Sequence, residues 1–164
     1  MTMDASQQVE AHLALLNLEG EYARTWDTGD AEGWASLFTA DGVFEMAAAG
    51  QMPAARYEGR GALADFCRTI NESYEGIHLI HTPSLSIEPL HARGWVHFEY
   101  RARHQGELLH VCGVYQVLYQ KTSEGWRIRQ RYEQAVQRDG EFYGIPKGWE
   151  AFDDERAEAR DGVK

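Results

Sequence analysis

NLEGEYARTWDTGDAEGWASLFTADGVFE, residues Asn17–Glu45, holds the turning point of the chain. It reads as the end of an amphipathic helix, a polar break, a short second helix and a first strand. The break is Asp27-Thr28-Gly29-Asp30. Gly29 suits a helix C-terminus because glycine takes left-handed backbone at no steric cost. Asp30 can accept from the first amides of the next helix as its N-cap. Asp27 follows Trp26 directly, so its carboxylate has bulky apolar neighbours rather than a run of other charges.

Upstream, apolar residues recur at Val9, Leu13, Leu16, Gly20 and Ala23. That spacing of three or four predicts a helix over about 7–26 with one buried stripe, widened by Leu15, Leu18, Tyr22 and Trp26. Residues 1–6 read as frayed. Downstream, a short helix over 31–38 and a strand over 43–46 are followed by a loop of small residues, 47–56. A third helix runs from about Gly61 to Ser73, with Leu63, Phe66, Cys67 and Ile70 inward. Four strands follow, at about Ile77–Glu88, Gly94–His104, Leu108–Gln120 and Trp126–Gln137. Two tight loops, Gln105-Gly106-Glu107 and Thr122 to Gly125, make their neighbours antiparallel. Helices first and long strands after define an α+β fold, with the sheet curled around the helices' apolar faces. The expected organisation is one domain over 7–137 and a tail over 138–164. The first part of that tail should dock through its aromatics; its charged end, 153–164, reads as mobile.

Composition narrows the function. The 164 residues suffice for one domain with a core. A net charge of −10 repels a polyanionic backbone and argues against nucleic acid as a partner. No run approaches the ~20 apolar residues of a membrane span, and no signal segment opens the chain. These features imply a cytoplasmic protein with no membrane contact. Cys67 and Cys112 read as reduced core thiols. Seven histidines invite a metal site, but His78 and His81 lack a nearby carboxylate or cysteine, and His110 with Cys112 stands alone, so no metal is expected. No nucleophile elbow or phosphate-binding glycine loop is present. Acid–base work remains. His78 opens a strand, and a carboxylate on one ring nitrogen would fix its tautomer and raise the basicity of the other. Asp27 suits that role, although a plain turn aspartate and a plain strand histidine would read the same way.

The residues carry a further signal. Tyr22-x4-Asp27-x2-Asp30-x6-Leu37-Phe38-x2-Asp41-x-Val43-Phe44, then Gly59-x2-Ala62-Leu63-x2-Phe66, Ile77-His78-x3-Thr82-Pro83-x3-Ile87-Glu88, Gly113-x-Tyr115 and Gly125-Trp126-Arg127-Ile128 resemble the SnoaL-like, nuclear-transport-factor-2-like superfamily. The resemblance spans about residues 7–137. It implies a cone: a curved mixed sheet wrapped around three N-terminal helices. The nearer match in motif is to the scytalone dehydratase, hexachlorocyclohexane dehydrochlorinase and bile acid dehydratase branch, which uses an Asp–His dyad. Asp27 and His78 fall on those two positions, with His78 the general base and Asp27 its orienting partner. The resemblance also implies catalytic roles for Tyr22, Arg131 and His104. Arg131 poses a register problem. If Trp126, Ile128 and Gln130 face the core, strict alternation turns Arg131 outward unless a bulge near Arg129 intervenes.

The implied activity is a cofactor-independent lyase of dehydratase type acting on a small, largely apolar cyclic substrate. Phe44, Phe66, Ile70, Val96, Phe98, Tyr100, Val111 and Tyr115 are the expected pocket walls. Departures limit the match. Met46, Gly113 and Tyr115 stand where scytalone dehydratase has a tyrosine, a serine and an asparagine. Glu133 could be imagined as a ketosteroid isomerase-type carboxylate, but His78 argues against that subclass. An isomerase or cyclase using the same dyad, a non-catalytic binder, and a ring-hydroxylating dioxygenase small subunit are the alternatives. A homo-oligomer, dimer or trimer, is implied by the family's paired sheet faces.

Overall fold

The computed structural model describes residues 2–149. Helix α1, Ala5–Asp27, starts two residues before the expected point. A capping box begins it: Gln7 N donates to Asp4 Oδ1 at 2.8 Å, and Asp4 N donates to Gln7 Oε1 at 3.0 Å. Among the described residues only Thr2 and Met3 precede this start. The buried face of α1 is Ala11, Leu15, Leu18, Glu19, Tyr22, Thr25 and Trp26. The stripe beginning at Val9 and Leu13 is not the core stripe; both side chains are exposed. The aromatic residues decide the orientation, because Tyr22 and Trp26 bury far more apolar area than Gly20 and Ala23 could.

The break behaves as its chemistry requires. Gly29 has φ +71°, and Asp30 Oδ1 accepts from Gly33 N at 2.9 Å. Helix α2 is shorter than expected, Ala31–Ser36, because Phe38 already opens strand β1, Phe38–Met46. Part of the expected loop is a strand, β2, Ala55–Glu58, paired antiparallel with β1. Helix α3 covers Arg60–Ser73. The expected strand at 77–88 is two pieces, β3, Glu75–Ile80, and β4, Ser84–Ile87. Pro83 has no N–H to continue a ladder, so the chain breaks there, and both pieces pair with β5, His91–His104. Strands β6, Glu107–Thr122, and β7, Gly125–Arg138, complete the long antiparallel part, and β8, Glu141–Phe142, adds to β7. Gln105 and Gly106, both at positive φ (51° and 85°), make the two-residue β5–β6 turn.

The sheet order is β2-β1-β7-β6-β5-β3, with β4 also on β5 and β8 on β7. The β1–β7 pair is parallel and the rest are antiparallel, so the sheet is mixed. Its concave face closes over α1, α2 and α3. Trp34, Phe38, Leu63, Val96 and Ile128 seal the closed end, all at 0% exposure. Beyond β8 the chain touches the sheet through Gly148 O, which accepts from Gln116 Nε2 at 2.8 Å, and through Trp149, edge-on to Trp95. Phe142 and Ile145, expected to dock, are exposed. The expectation for 153–164 lies outside the described residues. No described helix is long and apolar enough to cross a membrane.

Candidate active site

Asp27 is the last residue of α1 and His78 the fourth of β3. The carboxylate grips the histidine twice. His78 Nδ1 lies 2.7 Å from Asp27 Oδ1, and His78 N donates to Asp27 Oδ2 at 2.9 Å. A carboxylate only accepts, so the proton on this edge belongs to Nδ1, and Nε2 is the nitrogen left to take one. The backbone contact makes the arrangement stiff: the helix end and the strand start are tied by the same side chain that orients the ring. Rings complete the enclosure. Tyr100 lies 4.6 Å from the imidazole centroid, Trp26 5.8 Å and Tyr22 6.0 Å, the last two edge-on. Burial holds the His78 pKa below the ordinary imidazole value, against the opposing pull of Asp27, so the ring is neutral at neutral pH.

The ring opens on a cavity of about 170 Å³. Of the residues named as pocket walls, Phe44, Phe66, Ile70, Phe98, Tyr100, Val111 and Tyr115 line it, together with Tyr22, Trp26, Met46, Met52, Tyr74, Leu109, Glu133 and Arg138. Val96 does not; it is fully buried in the core. For scale, a dry apolar cavity of about 150 Å³ holds a benzene ring. The space therefore suits one six-membered ring.

Arg131 does face inward. Opposite β6, Leu118 pairs with Gln130 and Tyr119 with Ile128, which leaves Arg129 as the extra residue of a bulge. Ile128 and Arg131 are consequently both fully buried. Yet Arg131 does not line the cavity. Its Nη1 and Nη2 donate to Glu19 Oε1 and Oε2 at 2.9 and 2.8 Å. The guanidinium lies against the rings of both Tyr22 (3.7 Å) and Tyr115 (4.0 Å), which meet edge to face. Tyr119 Oη donates to the same Glu19 at 2.7 Å. A catalytic Arg131 is thus corrected to a buried prop beneath two pocket tyrosines. Its charge is already spent on Glu19, a helix residue that no sequence pattern marked.

His104 is likewise not in the cavity. Its Nδ1 lies 2.7 Å from Ser73 O, and its ring stacks on Tyr74 at 4.5 Å, clamping the end of α3 against the edge of β5. Its place at the end of β5, which the family resemblance marked, is occupied by this clamp instead.

Tyr22 is buried against Trp34 and Tyr115, and burial pushes its phenol further above the ordinary range, so it can only donate or accept a hydrogen bond. Glu133, set aside from the sequence, is a wall residue. It stands opposite Tyr115 on β6 and Met46 on β1, both cavity residues, so its accessible surface faces the cavity. Desolvation pushes its carboxyl up to about 7; Arg131 and a hydrogen bond from Tyr115 pull the other way and do not prevail. Among the described residues no three His, Cys, Asp or Glu side chains converge as metal ligands.

The helices, the mixed cone-shaped sheet and the ring-sized cavity define a nuclear-transport-factor-2-like protein. Within that class the chain belongs to the SnoaL-like domain family, whose model matches residues 7–132. No curated protein sequence matches it. Among solved structures it resembles a protein of unknown function from Mycobacterium tuberculosis, with a TM-score of 0.73, 25% identity, and coverage of 81% of this chain and 76% of that one. A candidate scytalone dehydratase from Novosphingobium aromaticivorans gives a TM-score of 0.72 at 17% identity, over 87% and 96% of the two chains. A ketosteroid isomerase-like protein from Erwinia carotovora atroseptica gives 0.64 at 16% identity, over 78% and 98%. At those two identities the likeness is one of fold.

Proposed function

We propose that this protein is a cofactor-independent lyase of the dehydratase type, acting on a small, largely apolar cyclic substrate. One observation carries the reading: a neutral imidazole, fixed through Nδ1 by a carboxylate at 2.7 Å, presented to an apolar cavity of about 170 Å³. In this mechanism His78 Nε2 removes a proton from a carbon next to an activating carbonyl. Asp27 holds the tautomer and stabilises the imidazolium that forms. Tyr22 donates a hydrogen bond to the oxygen on which charge develops. The double bond then forms as the leaving group departs. Cys67 and Cys112, both free thiols, suit a reducing cytoplasm. The exposed Val9 and Leu13 on α1, and Ile77 and Leu79 on β3, suit burial against further copies of the chain as a dimer or trimer.

Proton abstraction is common to dehydration, isomerisation and cyclisation, so it is tested first and alone. Cyclohexanone, one ring with an acidic carbon, is incubated with the protein in D2O, and deuterium uptake next to the carbonyl is read by mass spectrometry. Uptake that is faster with the wild type and returns to background in His78→Gln is the expected result. Uptake no faster than buffer would sink the base and leave a binding protein.

A further inference from the structure

The cavity has two proton-active walls, and the mechanism above uses one of them. Glu133 lies on β7, three strands from β3 in the sheet order, and the curl of the sheet brings both to the same space. Groups from four elements surround it. From α1 come Tyr22 and Glu19, from β6 Tyr115, from β1 the apolar Met46, and from its own strand Arg131 and Arg138. Arg131 already gives both terminal nitrogens to Glu19. The Arg138 guanidinium lies 3.7 Å from Asp139. Two carboxylates, Glu19 buried and Glu133 on the cavity wall, thus lie near one buried guanidinium, and the geometry awards it to Glu19. A second negative charge against apolar walls is costly, and a proton relieves it.

We propose that Glu133 is the acid partner of His78, donating its carboxyl proton to the oxygen that leaves the substrate ring. The inference rests on the elimination reading above. The step balances. The C–H proton goes to His78 Nε2, and its electron pair becomes the C=C bond. The C–O pair leaves with oxygen, which takes the Glu133 proton and departs as water. The imidazolium and the carboxylate left behind reset by proton exchange with solvent. Tyr115 stands opposite Glu133 on β6 and lines the same cavity. A neighbouring base and acid of this kind contribute roughly 10²–10⁴-fold each to such a step.

The test compares two leaving groups. 3-Hydroxycyclohexanone needs a proton to lose its oxygen; 3-chlorocyclohexanone releases chloride without one. Both give cyclohexenone, followed by its ultraviolet absorbance. Glu133→Gln should lower the hydroxy reaction by roughly 10²-fold or more and leave chloride loss near the wild-type rate. His78→Gln should lower both. Equal losses on the two compounds in Glu133→Gln would overturn the donor role while sparing the base. Undiminished rates in His78→Gln would overturn the base itself. Infrared spectroscopy supplies a readout without substrate. A carboxylic-acid C=O band should be present at pH 6, lost by pH 9 and missing in Glu133→Gln. If no such band separates the two proteins, the proposal fails whatever the kinetics. A wild type that has the band but is silent on both compounds refutes the elimination reading and the donor role with it.

Discussion

Replacing Glu19 by Gln removes one charge from the most deeply buried ion pair described in the molecule. Arg131 has no exposed surface and Glu19 only 2%. The two contacts of 2.8 and 2.9 Å are bidentate, and the guanidinium packs against two aromatic rings. The amide leaves a full cation in that setting with one acceptor instead of two, and arginine cannot shed its proton in compensation. Breaking such a pair costs about 3–5 kcal/mol. Removing the cation instead, with Arg131→Met, should cost less, because the orphaned Glu19 can take a proton. The double substitution should recover much of the loss, giving a coupling energy of about 2 kcal/mol or more. Urea unfolding of the four proteins at constant pH measures the cycle. A second effect follows from the shared guanidinium. With Glu19 neutral, Arg131 is free to hold Glu133, so the carboxylic-acid band of Glu133 should vanish at a lower pH than in the wild type. A Glu19→Gln cost under about 1 kcal/mol, the scale of exposed pairs, or an additive cycle, would show that this centre is hydrated and relaxed, and the account of Glu133 would fall with it.

Three further outcomes are expected. Glu133→Gln should become progressively more stable than the wild type as pH rises from 4.5 to about 7. The folded carboxyl holds its proton over that interval while the unfolded one does not, so wild-type stability falls through it, by about 3 kcal/mol for a rise from 4.5 to about 7; urea midpoints at pH 5 and pH 8 read it. Asp27→Asn should lower deuterium exchange by roughly 10²–10⁴-fold, with nitrogen NMR of His78 reporting loss of the single Nδ1–H tautomer; a retained tautomer with full activity would refute the orienting role. Gly113→Ser should destabilise the sheet by several kcal/mol in thermal unfolding, since a Cβ there would stand 2.2 Å from Gln134 O and 3.0 Å from Ala135 Cα. The serine of scytalone dehydratase has no room on this strand, and an unperturbed midpoint would show that β7 moves aside freely.

The legible parts of the site were those marked by changes of secondary structure. Asp27 is readable because a helix visibly stops there, and His78 because a strand visibly starts. Their meeting is a helix-end to strand contact over 51 residues of separation, which the family pattern anticipates and local spacing does not. The face of α1 was ambiguous because apolar residues occupy both sides of it; Val9 and Leu13 compete with Leu15 and Leu18, and only the sheet decides. Glu19 was illegible for a physical reason: a glutamate in a helix is ordinarily solvated, and its exception is made by an arginine 112 residues away. Strand β2 escaped because four residues alternating half-buried and exposed, at a sheet edge, carry little pattern. His104 failed because a family position transfers the residue but not its distance past the rim.

The bulge at Arg129 has a counterpart. Opposite Cys112 and Gly113 the partners are Gln137 and Ala135, so Val136 is also an extra residue. Each insertion exchanges odd for even along β7, and the second cancels the first. Arg131, Glu133 and Ala135 are therefore a cassette in inverted phase between two ordinary stretches, with Arg138 back on the original count. Deleting Arg129 alone would remove the extra residue and restore simple alternation from Ile128 through Gln130 to Arg131, so the guanidinium and the carboxyl would still face the interior. A gap of one residue at this point, in an alignment of such domains, marks a strand without the bulge and with the same side chains inward.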